Sequence, residues 1–278
     1  MTHALPFDPV LVFDIETAPD IAAARRIYPE LSKLTDADAL SALTAIRVQE
    51  SGRSFMRLPF QRIVCISFLY VKNGVISLRS LSAEQLSEKD ILQTFFRAFQ
   101  DAKNLPQLVS WNGSGFDIPV LLYRAMLYEL SVPLLFEEGD TIREMRFDNY
   151  VNRYHNRHLD LMDRFSQFGA SARQSMDIVA SLYGLPGKTD VDGSMVGALV
   201  VNNDWQTLTK YCESDVLNTW LIYLRWLRLT GKLSFEGFNF WQNESKSYLQ
   251  SFQKDELDVC RHQEFLADWE SSTQNLLS

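Results

Sequence analysis

In the stretch VLVFDIETAPD, residues 10–20, Asp14 and Glu16 interrupt an apolar run that otherwise reads as a strand. Residues two apart on a strand share a face, so both carboxylates point to the side of Val10 and Val12, with Leu11, Phe13 and Ile15 on the other. Both faces are apolar upstream, which predicts a strand covered on both sides, with the acids beginning where the cover ends. Two like charges this close repel, and partial burial adds to the cost. A divalent cation relieves both penalties. Solvation of an ordinary strand end also relieves them, and Asp-x-Glu alone fits that plainer reading.

Two further stretches carry acids. In WNGSGFDIPVL, residues 111–121, Asp117 falls at the start of a helix, where the macrodipole favours a carboxylate. Helix-start stabilisation accounts for that acid, but not for Asn112 and the glycines before it, which allow backbone to approach a ligand closely. In KYCESDVLNTW, residues 210–220, Tyr211 and Asp215 lie four apart and share one face of a helix, beside an apolar stripe of Val216, Trp220, Tyr223 and Leu227. Each pair or single acid is weak taken alone.

Taken together and in this order, the three stretches resemble the DEDD 3′–5′ exonucleases. That pattern has Asp-x-Glu on the first strand, an Asp after an Asn-rich turn, and a terminal Asp on a late helix. The terminal Asp is preceded by a Tyr four residues earlier or a His five earlier. Tyr211 is present and residue 210 is Lys, so the resemblance is to the tyrosine subclass. DIET, NGSGFDIPVL and YCESDVLNT are similar to the proofreading exonuclease domain of family B DNA polymerases, and to stand-alone bacterial proteins related to it. HLDLMD and GLPGKTDVDGSMV extend the likeness, which spans about 10–226 and leaves no room for a polymerase palm or thumb.

The resemblance implies a ribonuclease H-like α/β fold and metal-dependent hydrolysis at the 3′ end of a single strand, DNA favoured. Two Mg²⁺ or Mn²⁺ ions would stabilise the attacking and leaving oxygens, held by the hard carboxylates of Asp14, Glu16, Asp117 and Asp215. By the same resemblance Asp14 would bridge both ions. Glu16 and Asp215 would hold the one that carries the water, and Asp117 would support the other. Tyr211 would orient the water, since a phenol with a pKa of about 10 is a poor base near neutrality. Asn112, Phe116 and Lys188 are candidates for substrate contact. PGKTD at 186–190 is not a P-loop, because residue 182 is Leu where the motif needs Gly. A dehalogenase-type phosphatase reading of DIET fails at Glu16 and leaves Tyr211 and Asp215 unused. The alternative from another class is a catalytically silent nucleic-acid-binding or interaction module on the same fold.

These residues need elements to hold them. Strands are expected at 10–16, 62–71 and 75–81, the last two joined by the hairpin signal Lys72-Asn73-Gly74. A helix over about 88–102, a buried strand at 107–111 and a helix over about 117–130 follow, then a short strand within 157–165. From Met176 the pattern is helical, most clearly over 205–230. This order predicts a mixed sheet, an antiparallel meander plus parallel strands, with helices on both faces. No linker or repeat divides the 278 residues, so one exonuclease unit is expected: a core of about 8–231, an insertion at 20–58 and a helical extension at 232–278.

Three cysteines without a CxxC pair read as buried thiols of a reducing cytosol. The chain lacks the basic and long apolar segments of a signal peptide, and any apolar run long enough for a membrane, so a soluble cytoplasmic protein without membrane contact is expected. The net charge of −8 argues against phosphate binding by the surface as a whole, although a cation site needs local acids. Arg143, Arg146, Arg153, Arg157 and Arg164 cluster in sequence and read as a solvated face, with a phosphate-binding face as the other reading. Protein partners, if any, are not specified.

Overall fold

A computed structural model of the protein describes residues 3–187, 192–251 and 256–276, the side chains of 256–261 and 274–276 excepted. Strands β1 (Val10–Pro19), β2 (Gln61–Lys72), β3 (Val75–Ser82), β4 (Gln107–Ser110) and β5 (His158–Asp160) form one sheet in the order β3-β2-β1-β4-β5. The first three pair antiparallel, while β4 and β5 run parallel to β1. At the turn between β2 and β3, Asn73 and Gly74 adopt φ of 51° and 79°, the left-handed pair a tight hairpin requires.

The helices are α1 (Ile21–Ile27), α2 (Asp36–Ser51), α3 (Glu88–Phe96), α4 (Asp117–Leu127), α5 (Leu161–Phe165), α6 (Met176–Leu182), α7 (Val196–Val201), α8 (Trp205–Leu229), α9 (Phe235–Ser251) and α10 (Glu256–Leu276). They cover both faces. Val10 and Val12 of β1 pack with Val216, Trp220 and Trp269 on one side, while Leu11, Phe13 and Ile15 pack with Ile91, Phe95 and Val120 on the other. The strand alternation read from sequence therefore sorts the two cores, and the mixed sheet with helices on both faces is the ribonuclease H-like arrangement. No described helix is long and apolar enough to cross a membrane.

Some boundaries differ from the sequence reading, for identifiable reasons. β1 does not stop at the acids: it continues to Pro19 through a bulge between Glu16 and Thr17, with Ala18 buried against Val196 and Leu208. The carboxylates lie within a covered strand, not at its end. The helix expected over 88–102 is α3 followed by two 3-10 turns, Arg97–Phe99 and Ala102–Asn104. The strand expected within 157–165 shortens to β5 because Asp160 caps α5, accepting from the Asp163 amide at 3.2 Å. The 20–58 segment holds α1 and α2 around a small core of its own that includes Ala24, Leu31, Leu43 and Phe60.

Helix α8 is buried almost all round, so its polar side chains need partners. Tyr223 Oη donates to Gln107 Oε1 at 2.6 Å and Trp220 Nε1 to Ser245 Oγ at 2.8 Å. Asn218 Nδ2 donates to the Gly187 carbonyl at 2.9 Å, and the Gly187 amide donates back to Asn218 Oδ1 at 3.3 Å. Asn218 thereby ties the loop entering 188–191 to α8, three residues beyond Asp215. Cys65 and Cys212 are buried free thiols, and the side chain of Cys260 lies outside the described residues.

Candidate active site

The site forms where the parallel half of the sheet opens. The β1–β4 ladder covers only Val10–Val12, and β4 ends at Ser110. Beyond that point the Ile15 amide, between the two acids of β1, donates to Asp117 Oδ1 at 3.2 Å in place of a backbone acceptor. Asp117, 3 % exposed and the first residue of α4, is thus held at the strand. Such a crevice at the carboxyl ends of parallel strands is where open α/β sheets place their ligands.

From the opposite side α8 brings Tyr211 and Asp215. Burial raises the Tyr211 phenol far above its ordinary value, and the charges of Asp215, Glu16 and Asp14 push it the same way. The phenol therefore stays neutral and can only donate or accept a hydrogen bond. Burial likewise lifts the Asp117 carboxyl up to about 7, with the charges of Asp160 and Asp215 adding to the rise against the opposing pull of the backbone amides. The five residues singled out in three separated stretches thus form one electrostatic group: Asp14, Glu16, Asp117, Tyr211 and Asp215.

Asp14, Glu16 and Cys212 offer ligand atoms within 4.8 Å of one another. Burial, then the neighbouring Cys65, Asp14 and Glu16, hold the Cys212 thiol well above its ordinary pKa, so it remains protonated. Its Sγ lies 3.5 Å from the Asp14 carbonyl and 3.8 Å from Asp14 Oδ2, as a donor to Asp14. A neutral thiol is a poor ligand for a hard cation, whereas the oxygen-rich set of Asp14, Glu16, Asp117 and Asp215 suits Mg²⁺ or Mn²⁺. The donor chemistry fits the divalent ions that the acids imply.

Sequence reasoning did not assign two supporting residues. Asp160, 5 % exposed, accepts the Asn112 amide at 3.0 Å and the Ser114 amide at 2.9 Å, and so pins the loop that delivers Asp117. The signal was in HLDLMD, where Asp160 closes a short strand just before an apolar pair. Cys212 was the other, hidden because a Cys inside a helix usually only packs. The loop glycines have a local reason as well. A Cβ at Gly113 would meet the Ser110 side chain, whose Cβ lies 2.6 Å away, so tight packing demands glycine there with or without a ligand. Asn112 itself adopts φ 63° and accepts the Gly115 and Phe116 amides through its carbonyl at 2.9 and 3.0 Å.

Phe116 is partly exposed at the head of α4, and its ring lies 5.7 Å from that of Phe55, which the 20–58 segment contributes. Lys188 lies outside the described residues. Lys210 pairs with Glu264 of α10, leaving Tyr211 as the residue of that turn beside the acids.

The raised Asp117 carboxyl predicts a pH effect in the metal-free protein. Its folded value of about 7 stands above the unfolded 3.8, so the folded state holds this proton more tightly between them. The penalty is absent below the lower value, grows as pH rises, and is complete above the higher one. Denaturant unfolding in chelator should therefore show wild type losing stability relative to Asp117→Asn from about pH 4 to 7. A difference between the two proteins that does not change with pH would contradict the assignment.

No curated protein matches the chain. The family described as "predicted 3′-5′ exonuclease related to the exonuclease domain of PolB" matches residues 53–269, well over half of the chain. The match includes Asp117, Tyr211 and Asp215 and begins after Asp14 and Glu16, whose place beside them comes from the sheet. By the extent of that match, the chain belongs to this family of predicted 3′–5′ exonucleases.

Proposed function

We propose that the protein, acting as one exonuclease unit, hydrolyses the terminal phosphodiester at the 3′ end of single-stranded nucleic acid, DNA in preference to RNA. The observation that supports this reading is the closeness of the β1 acids, Asp117 and the Tyr211–Asp215 pair, which act on one another electrostatically. Asp14, Glu16, Asp117 and Asp215 would hold two divalent ions. When bound, such ions acidify a water and neutralise charge on the attacking and leaving oxygens.

The chain's own residues do the remainder. The Tyr211 phenol, kept neutral by burial and by the surrounding carboxylates, positions the water by a hydrogen bond and does not take its proton. The Cys212 thiol fixes Asp14, and Asp160 fixes the loop ahead of Asp117. Phe116, with Phe55 beside it, offers an aromatic face for the terminal base. Asn112 shapes the turn below, and Lys188, outside the described residues, would contact phosphate.

Incubating 5′-labelled single-stranded DNA and RNA side by side, with Mg²⁺ and with Mn²⁺, tests the reading. A ladder of progressively shorter labelled products with DNA trimmed faster is expected, together with complete arrest in excess chelator. Internal cuts, or undiminished degradation in chelator, would contradict it. Binding without any metal-dependent release would instead favour the silent module.

A further inference from the structure

Among the basic residues between 143 and 173, some do more than face solvent. Two of them converge on a single acid: Arg153 and Arg173 donate to Asp163 Oδ2 and Oδ1 at 2.6 and 2.9 Å. Asp163 is buried, while the two arginine side chains remain 43 % and 46 % exposed. One carboxylate needs one guanidinium. The pair thus carries more positive charge than Asp163 alone cancels, already fixed in place, in a chain whose net charge is −8.

Both arginines line a cavity of about 340 Å³ walled by Ile118, Leu122, Phe136 and Val151. That volume is within the ~300–1,000 Å³ range of small-molecule sites. Phe136 and Val151 are about half exposed, apolar surface without cover among the described residues. Next to the arginines, the Arg153 guanidinium lies 5.5 Å from the Phe168 ring centre and that of Arg164 5.0 Å, with Tyr154 edge-on to the same ring at 4.7 Å. Tyr154 is 62 % exposed. Arginines interleaved with open aromatic rings match the needs of a single strand, whose phosphates want fixed guanidinium groups and whose unpaired bases want flat apolar partners.

The position matters as much as the chemistry. Ser114 and Gly115, in the loop that delivers Asp117, also line the cavity. The cavity that holds the arginines thus adjoins the loop leading to Asp117.

We propose that the Arg153–Arg173 pair and the adjoining cavity bind the single strand upstream of its 3′ end, one or more backbone phosphates on the arginines and an unstacked base against Phe136 and Val151. This rests on the exonuclease reading, yet it makes a separate claim about length and salt. The exposed guanidinium groups of this pair should give longer strands an affinity advantage that short ones lack.

The test is equilibrium binding of fluorescent single-stranded DNA in chelator, so that no turnover intervenes, using 16-nucleotide and 3-nucleotide oligomers over a range of salt. Wild type should favour the longer strand, and in Arg153→Gln and Arg173→Gln that advantage should shrink by about tenfold. Each substitution should also flatten the slope of log affinity against log salt by about 0.7. Each leaves Asp163 one arginine, and Phe136→Ala, at an exposed position, provides a variant that tests the base contact without touching the ion pairs. Thermal midpoints close to wild type would confirm that the variants are folded. Unchanged length advantage and salt slope in all three variants would overturn the proposal, as would equally tight binding of polyglutamate, which would mark the surface as one for acidic protein segments. Should wild type trim 3′ ends while the variants bind as it does, the strand surface fails and the exonuclease reading stands. Should nothing be trimmed while the length advantage falls in the variants, the reverse holds.

Discussion

Asp14→Asn and Asp215→Asn should each lower the rate of 3′-end release by several orders of magnitude, while Tyr211→Phe should lose only about 10- to 1,000-fold. The difference follows from what each change removes. An Asn keeps the shape of Asp14 or Asp215 but deletes one of the charges that would balance the proposed divalent ions. Phenylalanine deletes a single hydrogen bond from a phenol that burial and nearby carboxylates already keep neutral. Single-turnover rates on 5′-labelled DNA with Mn²⁺ and Mg²⁺ would give all three ratios. If Tyr211→Phe fell as far as the acids, the phenol would be acting as more than a positioning group. If either Asn variant kept wild-type rate, that residue would not hold metal.

The largest effect on stability is expected at Arg124, far from the chemistry. This guanidinium is 3 % exposed and bonds Asp20 Oδ2 at 2.7 Å, Glu88 Oε1 at 2.8 Å and Glu88 Oε2 at 2.5 Å. Burial alone would raise the Asp20 carboxyl, but the Ala23 amide and the Arg124 charge outweigh it and hold it below its ordinary value. Glu88 also accepts the Ile63 amide at 2.7 Å and the Tyr128 hydroxyl at 2.9 Å. Arg124→Met would leave two buried carboxylates facing each other without a counter-charge, a cost of about 3–5 kcal/mol. Urea unfolding at neutral pH measures it, and a loss below about 1 kcal/mol would place the pair among weak surface bridges. Because Arg124 lies on α4, two turns after Asp117, the variant should also weaken metal response before it unfolds.

The separate acidic stretches were legible in the sequence because each is a local pattern, while grouping them rested on the family resemblance. Asp14 and Glu16 share a face by strand periodicity, Tyr211 and Asp215 by helical periodicity, and Asp117 follows a turn whose residues are adjacent in the chain. The hairpin at Asn73-Gly74 was legible for the same reason. What stayed hidden depends on residues distant in sequence. β1 continues past its acids because Ala18 finds Val196 and Leu208, nearly two hundred positions away. The 20–58 insertion is tied to the core through Asp20, anchored by Arg124 across 104 residues, a link that no local pattern shows. Asp160 gave little sign of its task, since an acid at a strand end is ordinary until the amides of Asn112 and Ser114 are seen on it. The run of Arg143, Arg146, Arg153, Arg157 and Arg164 had the same ambiguity, and Asp163 gathers Arg153 from it together with Arg173 from beyond it.

The central claim is that four carboxylates from β1, α4 and α8 share one divalent-metal site. Thermal unfolding of wild type and Asp14→Asn at neutral pH, in chelator and then with Mg²⁺ or Mn²⁺, tests it without substrate. In chelator the clustered charges oppose folding, so removing one should raise stability by about 1 kcal/mol, as relief of functional strain does elsewhere. Added metal should stabilise wild type by mass action, by about 2.7 kcal/mol at a hundredfold excess over its dissociation constant, and the variant much less. A higher midpoint for Asp14→Asn in chelator, overtaken by wild type when metal is added, is the result the account predicts. Equal midpoints in chelator, with no response of wild type to metal, would contradict it.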